Sequence, residues 1–230
     1  PEVKLGLLPG AGGTQRLPRL AGVQAALEMI VSGTPIAAAK AQSMGIIDEV
    51  VGGDLKAAAL AFAQKVIDEK RPIRKVSTLA VKVDNPAVFD EYAKSIARKQ
   101  RGFLAPFQCI KAVEAATKLS FGEGMKRERE LFLELKSSFQ SKAQLHVFFS
   151  EREVVRIPGL PDDYPTREIK SVGVAGAGTM GGGITMCFVN ASIPVVLLEA
   201  KQEFLDKGLG IIRKNYASTV AKGSLKQEVM

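Results

Sequence analysis

Tryptophan is absent from this sequence, histidine occurs once, as His146, and cysteine twice, as Cys109 and Cys187. One imidazole and two widely separated thiols do not make a zinc or iron–sulfur ligand set, so no metal centre is expected. Both cysteines lie among apolar neighbours and are expected as buried free thiols in a reducing compartment. His146 is expected as an ordinary helix residue facing core or solvent. No apolar run reaches the roughly 20 residues needed to span a bilayer, so membrane insertion is not expected. The first residues, Pro1 to Leu5, lack both an initiating Met and the basic-then-apolar pattern of a secretory signal. Further sequence is expected upstream, and also downstream, because Lys226 to Met230 stop within a helical pattern.

What is present is the composition of a soluble globular protein of one or two domains, 46% hydrophobic and 24% charged over 230 residues. The net charge of +8 is spread over amphipathic segments with Asp and Glu among the cations. With no zinc-finger, RNA-recognition or basic-zipper pattern, nucleic acid is not an expected partner. Most of the charge reads as solvated helix faces, with a modest bias toward phosphate-bearing ligands.

Residues 1–152 read as helices joined by short turns. A helix is expected from Gly22 to Ser32, stopped by Gly33, and an Ala-rich one from Pro35 to Met44, ended by Gly45. Ile46 to Val51 reads as a short strand. Asp54 caps a helix to about Lys70, and Asn85-Pro86 opens another to about Arg101. Ala105–Lys118 and a long, charged Met125–Glu151 complete the set. Residues 153–168 carry too many prolines for a helix or central strand and read as a linker. From residue 169 onward a short strand, Ile169 to Ala175, precedes a glycine-rich turn, a helix and a second strand, Pro194 to Leu198. That is a βαβ opening.

The turn is a G-x-G-x-x-G, Gly176-Ala177-Gly178-Thr179-Met180-Gly181. Alone it is a weak signal; here it follows a strand, opens a helix and precedes an acidic residue, Glu199, at the end of the next strand. Gly176 permits the tight turn, Gly178 lets the backbone approach a pyrophosphate, and Gly181 lets helix and strand pack closely. The helix start around Met180 offers free N–H groups to phosphates. Glu199 can accept hydrogen bonds from the adenine ribose and would repel a 2′-phosphate, so NAD is expected rather than NADP. FAD is the main rival, and a glycine-rich turn that binds nothing is the bland alternative. Gly182 and Gly183 extend the glycine run without a separate role.

The opening stretch, from Pro1-Glu2 through Leu7-Leu8 to Pro9-Gly10-Ala11-Gly12-Gly13-Thr14-Gln15-Arg16-Leu17, places a carboxylate before an apolar run and a glycine-rich loop that opens a helix near Thr14. From the residues alone, Glu2 reads as a surface acid and the glycines as a tight turn. The stretch resembles, at length, the pattern of the crotonase (enoyl-CoA hydratase/isomerase) family, and Ser171 through Gly181 resembles the NAD-binding start of 3-hydroxyacyl-CoA dehydrogenases. That order, with Phe148 to Arg152 ending the helix before the linker, is similar to the multifunctional enzymes of fatty-acid β-oxidation.

The resemblance implies an α/β chain: the mostly helical C-terminal part of a crotonase fold, a linker, and the first βαβ of a Rossmann domain. It implies that Glu2 is one of two catalytic carboxylates and that the Gly10 amide positions water in the substrate site. Gly176, Gly178, Met180, Gly181 and Glu199 would bind NAD, and the substrates would be acyl-CoA thioesters. The partner glutamate, the oxyanion-hole amides and the dehydrogenase's catalytic His would lie outside these residues, so the piece alone is expected to be inactive. The parent is expected to be monomeric or complexed with a thiolase, in a bacterial cytoplasm or, alternatively, a peroxisome. An enoyl-CoA isomerase joined to a dehydrogenase, and a non-catalytic NAD- or acyl-CoA-binding module, are the alternative functions. Glu199 stands where Asp is common in the dehydrogenase family, and slightly altered NAD affinity is expected from its longer reach.

Overall fold

The computed structural model describes residues 1–229 apart from 162 and 166. The chain divides into two units, the first ending at Pro158 and the second beginning at Gly159. In the first, a 3-10 turn (Glu2–Leu5) leads to α1 (Gly13–Ala21), α2 (Val23–Ser32), α3 (Ala38–Ser43) and α4 (Leu55–Asp68). After a second 3-10 turn (Val76–Thr78) come α5 (Val88–Ala97), α6 (Ala105–Lys118), α7 (Phe121–Ser137) and α8 (Phe139–Glu153).

The helix ends follow local chemistry. Gly33 takes the left-handed conformation (φ 59°) that closes α2. The Asp54 carboxylate accepts from the Lys56 and Ala57 N–H groups at 2.9 and 3.1 Å, starting α4. Ser120 and Glu123 form a reciprocal capping box at the head of α7. The core gathers on α6, whose Ala105, Cys109, Ile110, Ala112 and Val113 pack with Leu27 and Ile30 of α2 and with Leu131 and Leu135 of α7. Small residues on α6 let its neighbours come close, and complete burial of Leu27 and Leu131 contributes about 1.5–3 kcal/mol each. By contrast α4 buries no residue, and Leu55, Leu60 and Ile67 stand exposed on it.

Several expectations need correcting. Ile46 to Val51 is not a strand but a run of turn and bend; no strand lies beside it among the described residues of this unit to take up its backbone hydrogen bonds. The single helix expected from Met125 to Glu151 is two, because Ser138 turns extended (ψ 148°) and its hydroxyl accepts from the Ser141 N–H to cap α8. The Asn85 helix starts later, at Val88, and stops at Ala97. Asn85 caps the preceding turn instead, its side-chain oxygen accepting from the Ala87 N–H at 2.9 Å. The Ala-rich helix is likewise shorter than expected, Ala38–Ser43.

The second unit is a βαβ followed by a helix. Strand β1 (Val172–Ala175) pairs in parallel with β2 (Val195–Leu198), Val172 opposite Val195 and Ala175 opposite Leu198. Helix α9 (Thr179–Asn190) makes the crossover, α10 (Gln202–Ala221) follows, and Gln227–Val229 form a 3-10 turn. β1 begins at Val172, leaving Ile169 to Ser171 irregular. Within the expected linker, Asp162 and Thr166 lie outside the described residues, as does Met230 at the end of the expected helical pattern. Cys109 is buried as expected, but Cys187 is exposed, because it sits on the uncovered side of α9. His146 lies exposed on α8.

Candidate functional site

Two clusters carry the sequence motifs, one in each unit. In the first, Glu2 heads the 3-10 turn, which closes when Gly6 adopts a left-handed φ of 68°. The turn is gripped from two sides. At Gly33, the end of α2, a Cβ would stand 2.9 Å from Val3 Cγ1. At Gly6 it would come within 2.8 Å of Ser141 Cα on α8, whose hydroxyl donates to the Leu5 carbonyl at 3.1 Å. The Glu2 side chain is 44% exposed and lies 3.1 Å from the Pro1 ammonium. Partial burial pushes its pKa up, and hydrogen bonding from its own backbone N–H pulls it down. Its negative charge, after burial itself, helps push the enclosed Cys109 thiol up to about 12.

After the turn, Leu8 is fully buried and anchors the chain before Pro9. Gly10 follows, against the Phe132 ring of α7. The glycine-rich loop is then held by a residue that sequence reasoning passed over, Glu128 of α7, which is 1% exposed. One carboxylate oxygen accepts from the Gly12 N–H at 2.6 Å. The other accepts from the Thr14 N–H at 3.0 Å and the Thr14 hydroxyl at 2.5 Å. Gln15, fully buried, extends the network by donating from its side-chain nitrogen to Thr14 Oγ1 at 3.0 Å and to the Ala112 carbonyl of α6 at 2.9 Å. A buried carboxylate is costly unless donors surround it; here three donors and the positive end of α1 do so. Glu128 hides in the charged run Lys126 to Glu130. Its signal was the spacing Gly124, Glu128, Leu131, Leu135, which follows the buried stripe of α7.

In the second unit the fingerprint residues come together where β1 gives way to α9. Gly176 has φ 98°, and its N–H donates to the Leu198 carbonyl at 2.7 Å, tying the turn to the end of β2. A Cβ on Gly181 would overlap the Gly176 carbonyl oxygen, so only glycine allows α9 to start this close. Gly178 faces open space, where a Cβ would meet nothing within 4 Å. No side chain caps the start of α9, which leaves its first-turn N–H groups, Met180 among them, without intrahelical partners. The Met180 side chain is exposed. Glu199 reaches back to the loop, one oxygen accepting from the Ala177 N–H and the other from the Ala200 N–H, both at 2.8 Å. Those two N–H groups hold its carboxyl below the usual carboxylate range. Each oxygen keeps a lone pair with which to accept a hydroxyl. Gly208 was also missed: α10 crosses the loop so closely that a Cβ there would stand 2.6 Å from Ala177 Cβ.

Donors at an open helix start, a glycine-lined approach and a carboxylate beside them suit a dinucleotide with free ribose hydroxyls. Among the described residues no group of three or more His, Cys, Asp or Glu side chains is placed to hold a metal ion. No helix there is long and apolar enough to cross a membrane.

Comparison with known proteins places a family on each unit. Residues 171–230 match the NAD-binding domain of 3-hydroxyacyl-CoA dehydrogenase, so NAD is the cofactor of that unit. The chain is 39% identical over 219 residues to a peroxisomal bifunctional enzyme of Cavia porcellus, covering 92% of this chain and 30% of that protein. It is 41% identical over 212 residues to the peroxisomal bifunctional enzyme of Homo sapiens, covering 89% and 29% respectively. Against the peroxisomal fatty acid beta-oxidation multifunctional protein MFP2 of Arabidopsis thaliana it is 33% identical over 234 residues, covering 99% and 32%. The chain thus spans about a third of the length of these relatives. Residues 1–129, with the Glu2 turn and the loop that Glu128 holds, match the enoyl-CoA hydratase/isomerase model, and the chain belongs to that family.

Proposed function

We propose that the protein containing this chain hydrates trans-2-enoyl-CoA and oxidises the resulting 3-hydroxyacyl-CoA with NAD, two consecutive steps of fatty-acid β-oxidation. The observation that carries this reading is the succession of two family matches on one chain, residues 1–129 and then 171–230. Peroxisomal and glyoxysomal proteins among the relatives support a peroxisomal setting over a bacterial cytoplasm.

In the hydration, Glu2 is one of two carboxylates at the double bond. One removes a proton from water as the water oxygen bonds to C3, and the other returns a proton to C2, so the pair ends with the same proton count. The Gly10 N–H donates to the water oxygen and sets its approach. Partial exposure of Glu2 leaves it open to ligand. In the second unit Gly176 shapes the turn, Gly178 and the first turn of α9 around Met180 receive the pyrophosphate, Gly181 keeps the helix close, and Glu199 accepts from the ribose. NAD supplies the hydride acceptor when bound.

The test is a coupled assay on the full-length gene product with trans-2-butenoyl-CoA and NAD, following NADH. Wild-type protein is expected to form NADH from the enoyl substrate. Glu2→Gln should abolish that while leaving NADH formation from 3-hydroxybutyryl-CoA intact. NADH formation from the enoyl substrate by the Glu2→Gln protein at the wild-type rate would refute the role of Glu2. Binding of both ligands without turnover would favour the non-catalytic module. A parallel assay with trans-3-enoyl-CoA reads the isomerase alternative, which needs only one carboxylate to shuttle a proton.

A further inference from the structure

Glu128 is a buried carboxylate used by no step so far described, and it accepts hydrogen bonds from the loop that follows Gly10. Its acceptors take the N–H of Gly12 at 2.6 Å and, at 3.0 and 2.5 Å, the N–H and hydroxyl of Thr14. Gly12 sits at a φ of 89°, a conformation that holds the loop in a sharp turn. Gln15 ties the same assembly to α6 through the Ala112 carbonyl. Behind Gln15, α7 carries Gly124, where a Cβ would come 2.9 Å from Gln15 Cδ. Two helices distant in sequence, α6 and α7, therefore converge on Gly12, Thr14 and Gln15. A carboxylate used only to fill the core would be replaceable by an apolar residue of similar volume. One that satisfies three donors of a single turn instead fixes where the turn's other N–H groups point.

We propose that Glu128 is a positioning residue for the hydration reaction, setting the Gly10 N–H through the Gly12–Thr14 turn. This rests on the reading of Glu2 and Gly10 given above. The carboxylate does not touch substrate. It fixes the loop from behind, so that the water held by Gly10 meets C3 at a productive distance. Replacing it with the isosteric amide puts an NH2 group against one of the loop donors, and donor facing donor forces the turn to shift. A displacement approaching 1 Å at the reacting centre lowers turnover by up to about a hundredfold.

The experiment compares wild type, Glu128→Gln, Thr14→Val and Glu2→Gln in the full-length protein, with trans-2-butenoyl-CoA for hydration and 3-hydroxybutyryl-CoA plus NAD for oxidation. For Glu128→Gln we expect hydratase kcat to fall at least tenfold, with KM changed less than about threefold and the oxidation rate of the same molecules unchanged. Thr14→Val removes one of the three donors while keeping the branched shape, and is expected to lower kcat by a smaller factor, again with KM little changed. If Glu128→Gln does not fold, Thr14→Val alone decides. Wild-type kcat per folded molecule in the variants, with only a lowered Tm, would reduce Glu128 to a structural residue and overturn the proposal. Full hydration by Glu2→Gln would instead sink the underlying site reading, so the two failures are distinguishable.

Discussion

Gly10 is where the geometry of the loop can be probed with a single methyl group. Its backbone lies outside the left-handed region, so alanine meets no conformational barrier there. The obstacle is Phe132: an added Cβ would stand 2.6 Å from Cδ2, 2.9 Å from Cε2 and 3.0 Å from Cγ. Carbon atoms rest about 3.5–4.0 Å apart, so the closest pair at 2.6 Å is about 0.9 Å too near. The ring is packed against the core cluster, with the Arg129 guanidinium 5.6 Å from its centroid, and cannot swing away freely. Gly10→Ala is therefore expected to cost about 1–3 kcal/mol of stability, the usual range for overpacking. For a domain of this size that is a fall of several degrees in Tm. Because part of the 0.9 Å must be taken up by the loop, hydratase kcat should fall at least tenfold. Phe132→Ala in the same protein removes the clash, and the double variant should be less impaired than the two single effects combined, with a coupling of at least about 1 kcal/mol. The assay is thermal unfolding together with hydration of trans-2-butenoyl-CoA by all four proteins of the cycle. Additivity within about 0.5 kcal/mol, or a Gly10→Ala protein with wild-type turnover, would refute the reasoning.

Three further outcomes are expected. Gly181→Ala should weaken NAD binding at least tenfold by calorimetry, since the methyl collides with the Gly176 carbonyl and must push α9 from the turn; unchanged affinity would disprove the close-packing role. Glu199→Ala should weaken NAD binding and relax discrimination against NADP, because it removes both the ribose acceptor and the bond to Ala177; titration with the two cofactors reads this, and an unchanged ratio counts against it. Iodoacetamide at pH 8 should label Cys187 while leaving Cys109, buried and pushed up to about 12, unmodified until the protein is denatured; peptide mass mapping that finds Cys109 alkylated in folded protein would contradict the burial.

The legible parts of the sequence were those whose cause is local. Asp54 caps because its carboxylate reaches the next two N–H groups, and Gly33 stops α2 because it alone takes the left-handed conformation cheaply. The fold class was readable for the same reason: the βαβ is announced by Gly176 and by two short apolar runs, which pair in parallel. Helical spacing also gave Ala105–Lys118 to the residue. Where the cause is distant, reading failed. Ile46 to Val51 has the composition of a strand, but no neighbour pairs with it among the described residues of its unit. Ser138 breaks a helix that charge and periodicity would continue, because its hydroxyl caps the next one. In the site, Glu2 and the glycines stood out by motif, whereas Glu128 looked like one charge among many. Its importance lies in atoms 114 and 116 residues away in sequence, a relation that no local pattern displays.

That separation has a consequence for how the protein is made. The loop around Gly12 cannot settle when it leaves the ribosome, because its buried counterpart is still 116 residues from being synthesised. At about 5–20 residues per second the wait is roughly 6 to 23 s, very long beside the microseconds in which α1 and α2 can form. The entropic cost of closing the loop grows only with the logarithm of its length, so the long separation delays the contact more than it weakens it. The Gly12–Thr14 turn can therefore reach its final hydrogen bonding only after α7 has been synthesised.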